Sequence, residues 1–221
     1  MQHAFNITIP QTLEEVCDPS RTALLVYDMQ IDIFRQAPKL KTVVPQVSAV
    51  LEAARAAKMR TFFSRHMSLP LELMGATQFR TATAWQHVKN ATDVRPRFLR
   101  DSPGFPLIPE VQPLATEMVF DKLGMSMFAG TPLDMVLRDC GITSFIIIGV
   151  VLEIGIGPTV SNGIDLGYVP IVVTDACGSV SEPARERTLA DIGYTGASLT
   201  TDTSTLCRLL RADMTGHGEP T

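Results

Sequence analysis

The stretch Phe145-Ile-Ile-Ile-Gly-Val-Val-Leu-Glu-Ile-Gly-Ile-Gly-Pro-Thr-Val-Ser-Asn-Gly-Ile-Asp-Leu-Gly-Tyr168 decides how the chain is read. The run from Ser144 to Val150 is apolar, rich in β-branched residues and uncharged, and it does not alternate. That suits a strand covered by helices on both faces of a parallel sheet, whereas a strand with one wet face would alternate. Gly155, Gly157 and Pro158 then break the strand, and Pro158 suits the first position of a helix, where a missing N–H costs nothing. Backbone N–H groups at a helix start point at whatever lies over the turn, so Gly155 and Ile156 are candidates to bind an oxyanion. The active site is expected here, at the carboxyl end of the central strand of an open α/β sheet.

Working outward, Thr22-Ala-Leu-Leu-Val-Tyr-Asp28 reads as a first buried strand that ends on an acid. Val44, Val47, Val50, Leu51 and Ala54 recur at helical spacing between Val43 and Ala57, and Arg60 to Ser64 forms a second strand. Met118 to Lys122 is a third, ending with Lys122 on the same edge as Asp28. A helix from Leu133 to Asp139 precedes the central strand. A helix from Thr159 to Asp165, a strand from Val169 to Asp175, a helix within Glu182 to Ile192, a strand from Ala197 to Thr200 and a helix from Thr203 to Leu210 follow it. Strand and helix alternate, which predicts one α/β domain over 1–221 with a doubly wound, mostly parallel sheet and helices on both faces. Met1 to Pro19 reads as a polar surface arm, and the tail from Thr215 as disordered.

Composition narrows the function. With 221 residues, 45% of them hydrophobic, and a formal charge of -4, the chain suits one sizeable core and offers no broad basic footprint for nucleic acid. Arg95, Arg97 and Arg100 read as a solvated or substrate-gating loop. The apolar runs are too short to span a bilayer, and no basic-then-apolar signal opens the chain, so a soluble cytoplasmic protein without membrane partners is expected. Cys17, Cys140, Cys177 and Cys207 are far apart with no CxxC pair, which suggests reduced thiols and no zinc site.

Arg65 to Glu117 is long, rich in Pro, Arg and Met, and weakly periodic, as expected of a lid or binding loop. It carries the sole tryptophan, Trp85, which either plugs the core or walls a pocket. His66 follows a strand end and lacks the neighbouring acid and second histidine of a metal pattern. Gly155-Ile156-Gly157 starts a dinucleotide fingerprint, but Val160 stands at its last glycine position, and no G-x-S-x-G elbow is present. No residue pattern demands a metal or organic cofactor.

Leu24-Leu-Val-Tyr-Asp-Met-Gln30, Lys122 with Ser126-Met-Phe-Ala-Gly-Thr131, the Gly149-Val turn, and Asp165-Leu-Gly-Tyr168 leading to Val173-Thr-Asp-Ala-Cys177 together resemble the isochorismatase-like hydrolases, also called cysteine hydrolases. The resemblance implies a Rossmann-like sheet, a homo-oligomer, a small-molecule substrate, and a triad of an aspartate matching Asp28, a lysine matching Lys122 and a cysteine in the turn. It also implies a non-proline cis peptide near Val150-Val151. The chain departs from the pattern at the nucleophile, because Gly155 stands where the cysteine should be. A covalent thioester route is therefore unsupported.

Glycine at this position resembles the isochorismatases proper, which cleave a vinyl ether. There Asp28 would protonate the vinyl carbon, Lys122 would hold a substrate carboxylate, and the N–H groups of Gly155 and Ile156 would bind an oxyanion. Arg65, Gln78 and Arg80 are candidates to meet the substrate's carboxylates, with His66, Trp85 and Phe128 as pocket walls. A second reading is hydrolysis of an amide, imide or carbamate by activated water, with Glu153 in the turn acting as a base alongside Asp28; otherwise Glu153 caps the next helix or pairs with an arginine. A third is a binding protein that has lost turnover. Against it stands the cost of keeping two ionisable groups at a buried strand edge.

Overall fold

The computed structural model describes residues 1–216, with side chains as far as Ala212. Two short antiparallel strands, β1 (Gln2–Ala4) and β2 (Ile7–Ile9), form an exposed hairpin. The turn α1 (Leu13–Val16) then docks under the sheet. Val16 and Cys17 are buried, and the hydroxyls of Thr22 and Ser144 donate to the Val16 carbonyl at 2.7 and 3.3 Å. The expected arm is thus corrected: its first part is surface, and its end belongs to the core because those two apolar residues close the sheet's amino edge.

The remaining elements are β3 (Thr22–Tyr27), α2 (Ile31–Gln36), α3 (Val44–Ala56), β4 (Thr61–His66), α4 (Ala76–Gln86), β5 (Met118–Lys122), α5 (Leu133–Asp139), β6 (Ser144–Val150), α6 (Gly157–Asp165), β7 (Val169–Gly178), α7 (Glu182–Tyr194), β8 (Leu199–Thr201) and α8 (Thr203–Gly216). Six strands form one sheet in the order β5-β4-β3-β6-β7-β8, every neighbouring pair parallel. The doubly wound parallel α/β expectation is met. All residues of β3 and β6 are buried, which accounts for their unbroken apolar character. Alternate residues feed two cores. Leu24, Val26, Ile146 and Ile148 pack with α3 and α8, while Ala23, Leu25, Phe145 and Ile147 pack with α5, α6 and α7.

From β3 the chain builds one way through β4 and β5, then crosses back to lay β6, β7 and β8 on the other side. The reversal lies between β3 and β6, and open α/β sheets bind ligands beyond the carboxyl ends of the strands at such a point.

Several boundaries move. The weakly periodic segment after β4 contains α4, a helix with no buried residue, so no apolar stripe announces it. β7 runs on to Gly178 because Ala176 and Cys177 stay buried, past a register shift against β6 between Ile147 and Gly149. A π-helical turn, Leu152–Ile156, intervenes before α6, and Pro158 is its second residue. α8 continues past Leu210 to Gly216, so the expected tail is helical at its start, and 217–221 lie outside the described residues.

Candidate active site

Asp28 leaves β3 with φ of 45°, a left-handed conformation that aspartate tolerates better than most residues and that clusters at functional sites. Its carboxylate turns over the sheet edge. Ser64 Oγ donates to Oδ1 at 2.6 Å, and Lys122 Nζ donates to Oδ2 at 2.7 Å. Asp28 is 4% exposed and Lys122 2%. Lys122 sits opposite His66 in the β4–β5 register, on the face shared by Ser64 and His66, which brings an edge-strand lysine over the centre of the sheet. Its ammonium also donates to the Tyr27 hydroxyl at 2.7 Å and to the Gly124 carbonyl at 3.3 Å, so all three N–H bonds are engaged. The Tyr27 hydroxyl in turn donates to the Met125 carbonyl. Burial, and then the Asp28 charge, hold the Tyr27 phenol well above its usual range, so it stays protonated.

The turn after β6 differs from the expectation. The Gly155 and Ile156 N–H groups both donate to the Val151 carbonyl, at 3.0 and 3.2 Å, so they close the π turn and are not presented as an oxyanion site. The peptide between Val150 and Val151 is cis. Glu153 lies away from Asp28: its Oε1 accepts from the Val180 and Ser181 N–H groups at 2.9 and 3.1 Å. It thereby anchors the loop entering α7 and not the next helix, α6, that the capping alternative named. At Gly155 itself the space a side chain would need is filled by the Tyr27 ring.

A cavity of 760 Å³ opens over this edge, lined by Tyr27, Asp28, Lys122, His66, Trp85, Phe98, Met125, Val150 and Val151 among others. A smaller one of 310 Å³ adjoins it across His66, Trp85 and Phe98 and includes Gln78 and Arg97. The His66 ring lies 5.5 Å from Phe98, edge-on, and 6.4 Å from Trp85. Burial lowers the His66 pKa, Asp28 opposing and Lys122 adding to the effect, which keeps the imidazole neutral. Trp85 is 47% exposed and walls both cavities, which answers the question of whether it plugs the core.

Three expected binding residues lie elsewhere. Arg65 points to the opposite side of β4 from His66, where its Nε donates to Asp121 at 2.8 Å and its guanidinium covers the Phe105 ring. Arg80 is exposed on α4 and lines neither cavity. Phe128 is core, packed on Phe145 and Tyr168 with centroids 5.7 and 5.6 Å away. Arg100 pairs with Asp121, and Arg95 donates to backbone carbonyls. Neither cavity contains a cysteine; burial pushes the Cys177 thiol up to about 12. Among the described residues no group of three or more His, Cys, Asp or Glu is placed to hold a metal ion, and no helix is long and apolar enough to cross a membrane.

Sequence reasoning missed Tyr27, Ser64, Gln30 and Phe98. Gln30 is fully buried: its Nε2 donates to the carbonyls of His66 and Phe105, and its Oε1 accepts from the His66 N–H, tying the segment after β4 to the end of β3. Tyr27 and Gln30 flank Asp28 closely enough that proximity was the available signal. For Ser64 and Phe98 the sequence carried none.

Residues 22–204 match the family model of the isochorismatase domain. The ureidoacrylate amidohydrolase RutB of Acinetobacter baylyi is 26% identical over 174 residues, 72% of this chain and 71% of its own length. The same enzyme of Serratia proteamaculans is 27% identical over 195 residues, covering 79% and 77% of the two chains. Among solved structures, a cysteine hydrolase from Pseudomonas syringae pv. phaseolicola superimposes with a TM-score of 0.75 at 24% identity, over 89% of this chain and 95% of that one.

Proposed function

We propose that this hydrolase, which belongs to the isochorismatase family, cleaves an amide-type C–N bond of a small molecule with water activated by Asp28 and no covalent enzyme intermediate. The observation that carries the reading is the pairing at Asp28. Both carboxylate oxygens accept hydrogen bonds, one from the Lys122 ammonium and one from Ser64, an arrangement that suits a carboxylate which takes a proton from water and passes it on. Vinyl-ether cleavage needs the proton to be given first. Arg65 and Arg80, which would have met a dicarboxylate, lie outside the cavity. The amidohydrolase relatives support the same class of bond.

In this mechanism a water beside Asp28 attacks the substrate carbonyl carbon, and its proton passes to the carboxylate. The C=O π pair moves onto oxygen. The resulting alkoxide is stabilised by the Lys122 charge in a water-poor cavity, where a fixed charge acts strongly. Collapse breaks the C–N bond, and Asp28 returns its proton to the leaving nitrogen. Trp85, Phe98 and the neutral His66 supply apolar and aromatic walls that hold an uncharged group.

Turnover of small amides, cyclic imides, carbamates, ureido acids and isochorismate by the wild type and by Asp28→Asn tests the reading. The expected result is C–N cleavage reduced at least about 100-fold in the variant. Release of pyruvate from isochorismate without amide cleavage would establish the vinyl-ether route. Amide turnover unaffected by Asp28→Asn would remove Asp28 from the chemistry.

A further inference from the structure

Residue 155 is kept as glycine by a neighbour far away in sequence. A Cβ there would stand 1.9 Å from the Tyr27 hydroxyl oxygen, 2.3 Å from its Cζ and 2.5 Å from its Cε1. The ring borders the 760 Å³ cavity, so its polar contacts and not want of space hold it in place. It is 2% exposed, its hydroxyl is held between Lys122 Nζ and the Met125 carbonyl, and the Lys122 ammonium lies 4.3 Å from the ring centroid. The phenol oxygen therefore occupies the place a side chain from the turn would take beside Lys122, and it accepts one of the three hydrogen bonds that fix the ammonium against Asp28.

We infer that Tyr27 decides which nucleophile this site can use: it fills the volume of a side chain at residue 155, holds Lys122 against Asp28 in that side chain's absence, and leaves only a nucleophile supplied from solvent. Tyr27 is a positioning residue in this account, acting through Lys122. Its partner Gly155 is a steric requirement, so the two residues exchange together or not at all. The inference deepens the water-based reading above, but its test needs no substrate. Failure to find an amide that is cleaved leaves it standing or falling by its own measurements.

The test introduces a thiol and asks whether it fits. Cys17, Cys177 and Cys207 are buried, so Cys140→Ser gives a quiet background for labelling. In that background Gly155→Cys is compared with Gly155→Cys combined with Tyr27→Val, by thermal unfolding and by the pH dependence of alkylation with iodoacetamide. With Tyr27 present, the substitution is expected to lower the unfolding midpoint by about 5 °C, as overpacking does. Measured against Tyr27→Val alone, Gly155→Cys no longer lowers the midpoint, and the new thiol reacts about tenfold faster at pH 7, its profile displaced below an ordinary thiol midpoint of about 8.5 by the Lys122 charge. Adding Lys122→Met returns that profile upward, a change no purely structural role of Tyr27 produces. An equal midpoint penalty for Gly155→Cys and equal labelling rates with and without Tyr27 would overturn the inference. Should the combined variant fail to fold, Gly155→Ala alone decides: a drop of similar size supports the steric pair, and a midpoint within about 1 °C of the parent refutes it.

Discussion

Asp28 and Lys122, at the ends of β3 and β5, line the same cavity as Trp85 and Phe98, which come from the segment between β4 and β5, but the two pairs are held in different ways. The strand-end pair is almost fully buried and fixed by strand register, with each polar atom committed to a named partner. The segment is tied down at its ends, through Gln30, the Met67 N–H to the Lys122 carbonyl at 2.8 Å and the Ile108 N–H to the Met29 carbonyl at 2.8 Å, while its middle, where Trp85 is 47% exposed, stays partly open. Several of its charges are spent on the surrounding fold: Arg65 and Arg100 both reach Asp121 on β5, and Arg97 reaches Gln36 on α2. The difference teaches that the chemistry is carried by the rigid edge and that the segment supplies mainly shape.

Three measurements break or sharpen that contrast. The largest effect is expected from Lys122→Met, which leaves the Asp28 carboxylate buried without its cation and should cost about 3–5 kcal/mol of stability by chemical denaturation. A loss below about 1 kcal/mol would mean that the edge is no more committed than the segment. Trp85→Ala should come next. Removing an aromatic wall that is half exposed is expected to raise KM about tenfold on whichever amide is cleaved while kcat moves less, with little change in folding stability. A fall in kcat with KM unchanged would instead place Trp85 in the chemistry.

The smallest effect concerns pH and His66, which stands between the two regions. Burial depresses its pKa in the folded protein relative to the unfolded chain, so the unfolded state binds more protons below about 6.5. Stability contributed by the neutral imidazole is therefore complete above that pH and is lost as pH falls toward the lowered folded value. Unfolding midpoints between pH 7 and pH 5 should decline more steeply for the wild type than for His66→Gln. Parallel slopes would show that the ring is not held neutral by its surroundings.

Much of the frame was legible without coordinates, for reasons particular residues make plain. Asp28 and Lys122 could be placed on one edge because each stands at the end of a strand-like run, and parallel strands put such ends on the same side. Arg65, a candidate as a basic group of the long loop, lies in β4 instead, where the period of two sends it to the face opposite His66. The proposed oxyanion donors at Gly155 and Ile156 failed because a π turn, which leaves no pattern in the sequence, consumes both N–H groups. Phe128 is core and not a pocket wall because its partners Phe145 and Tyr168 arrive from β6 and from just before β7, far away in sequence.

The sequence by itself determined the alternation of strand and helix, the parallel sheet, the two ionisable residues at its edge and the absence of a thiol at residue 155. Each of these depends on chain neighbours or on residue type alone. Only the tertiary structure decided that Asp28 accepts from both Lys122 and Ser64, that Glu153 serves a distant loop, and that the Tyr27 ring fills the space beside Gly155. The Asp28 partners lie 36 and 94 residues away, Glu153 reaches across 27, and the Tyr27 hydroxyl reaches a carbonyl 98 residues on. Such contacts are fixed by strand register and packing, which local periodicity does not encode.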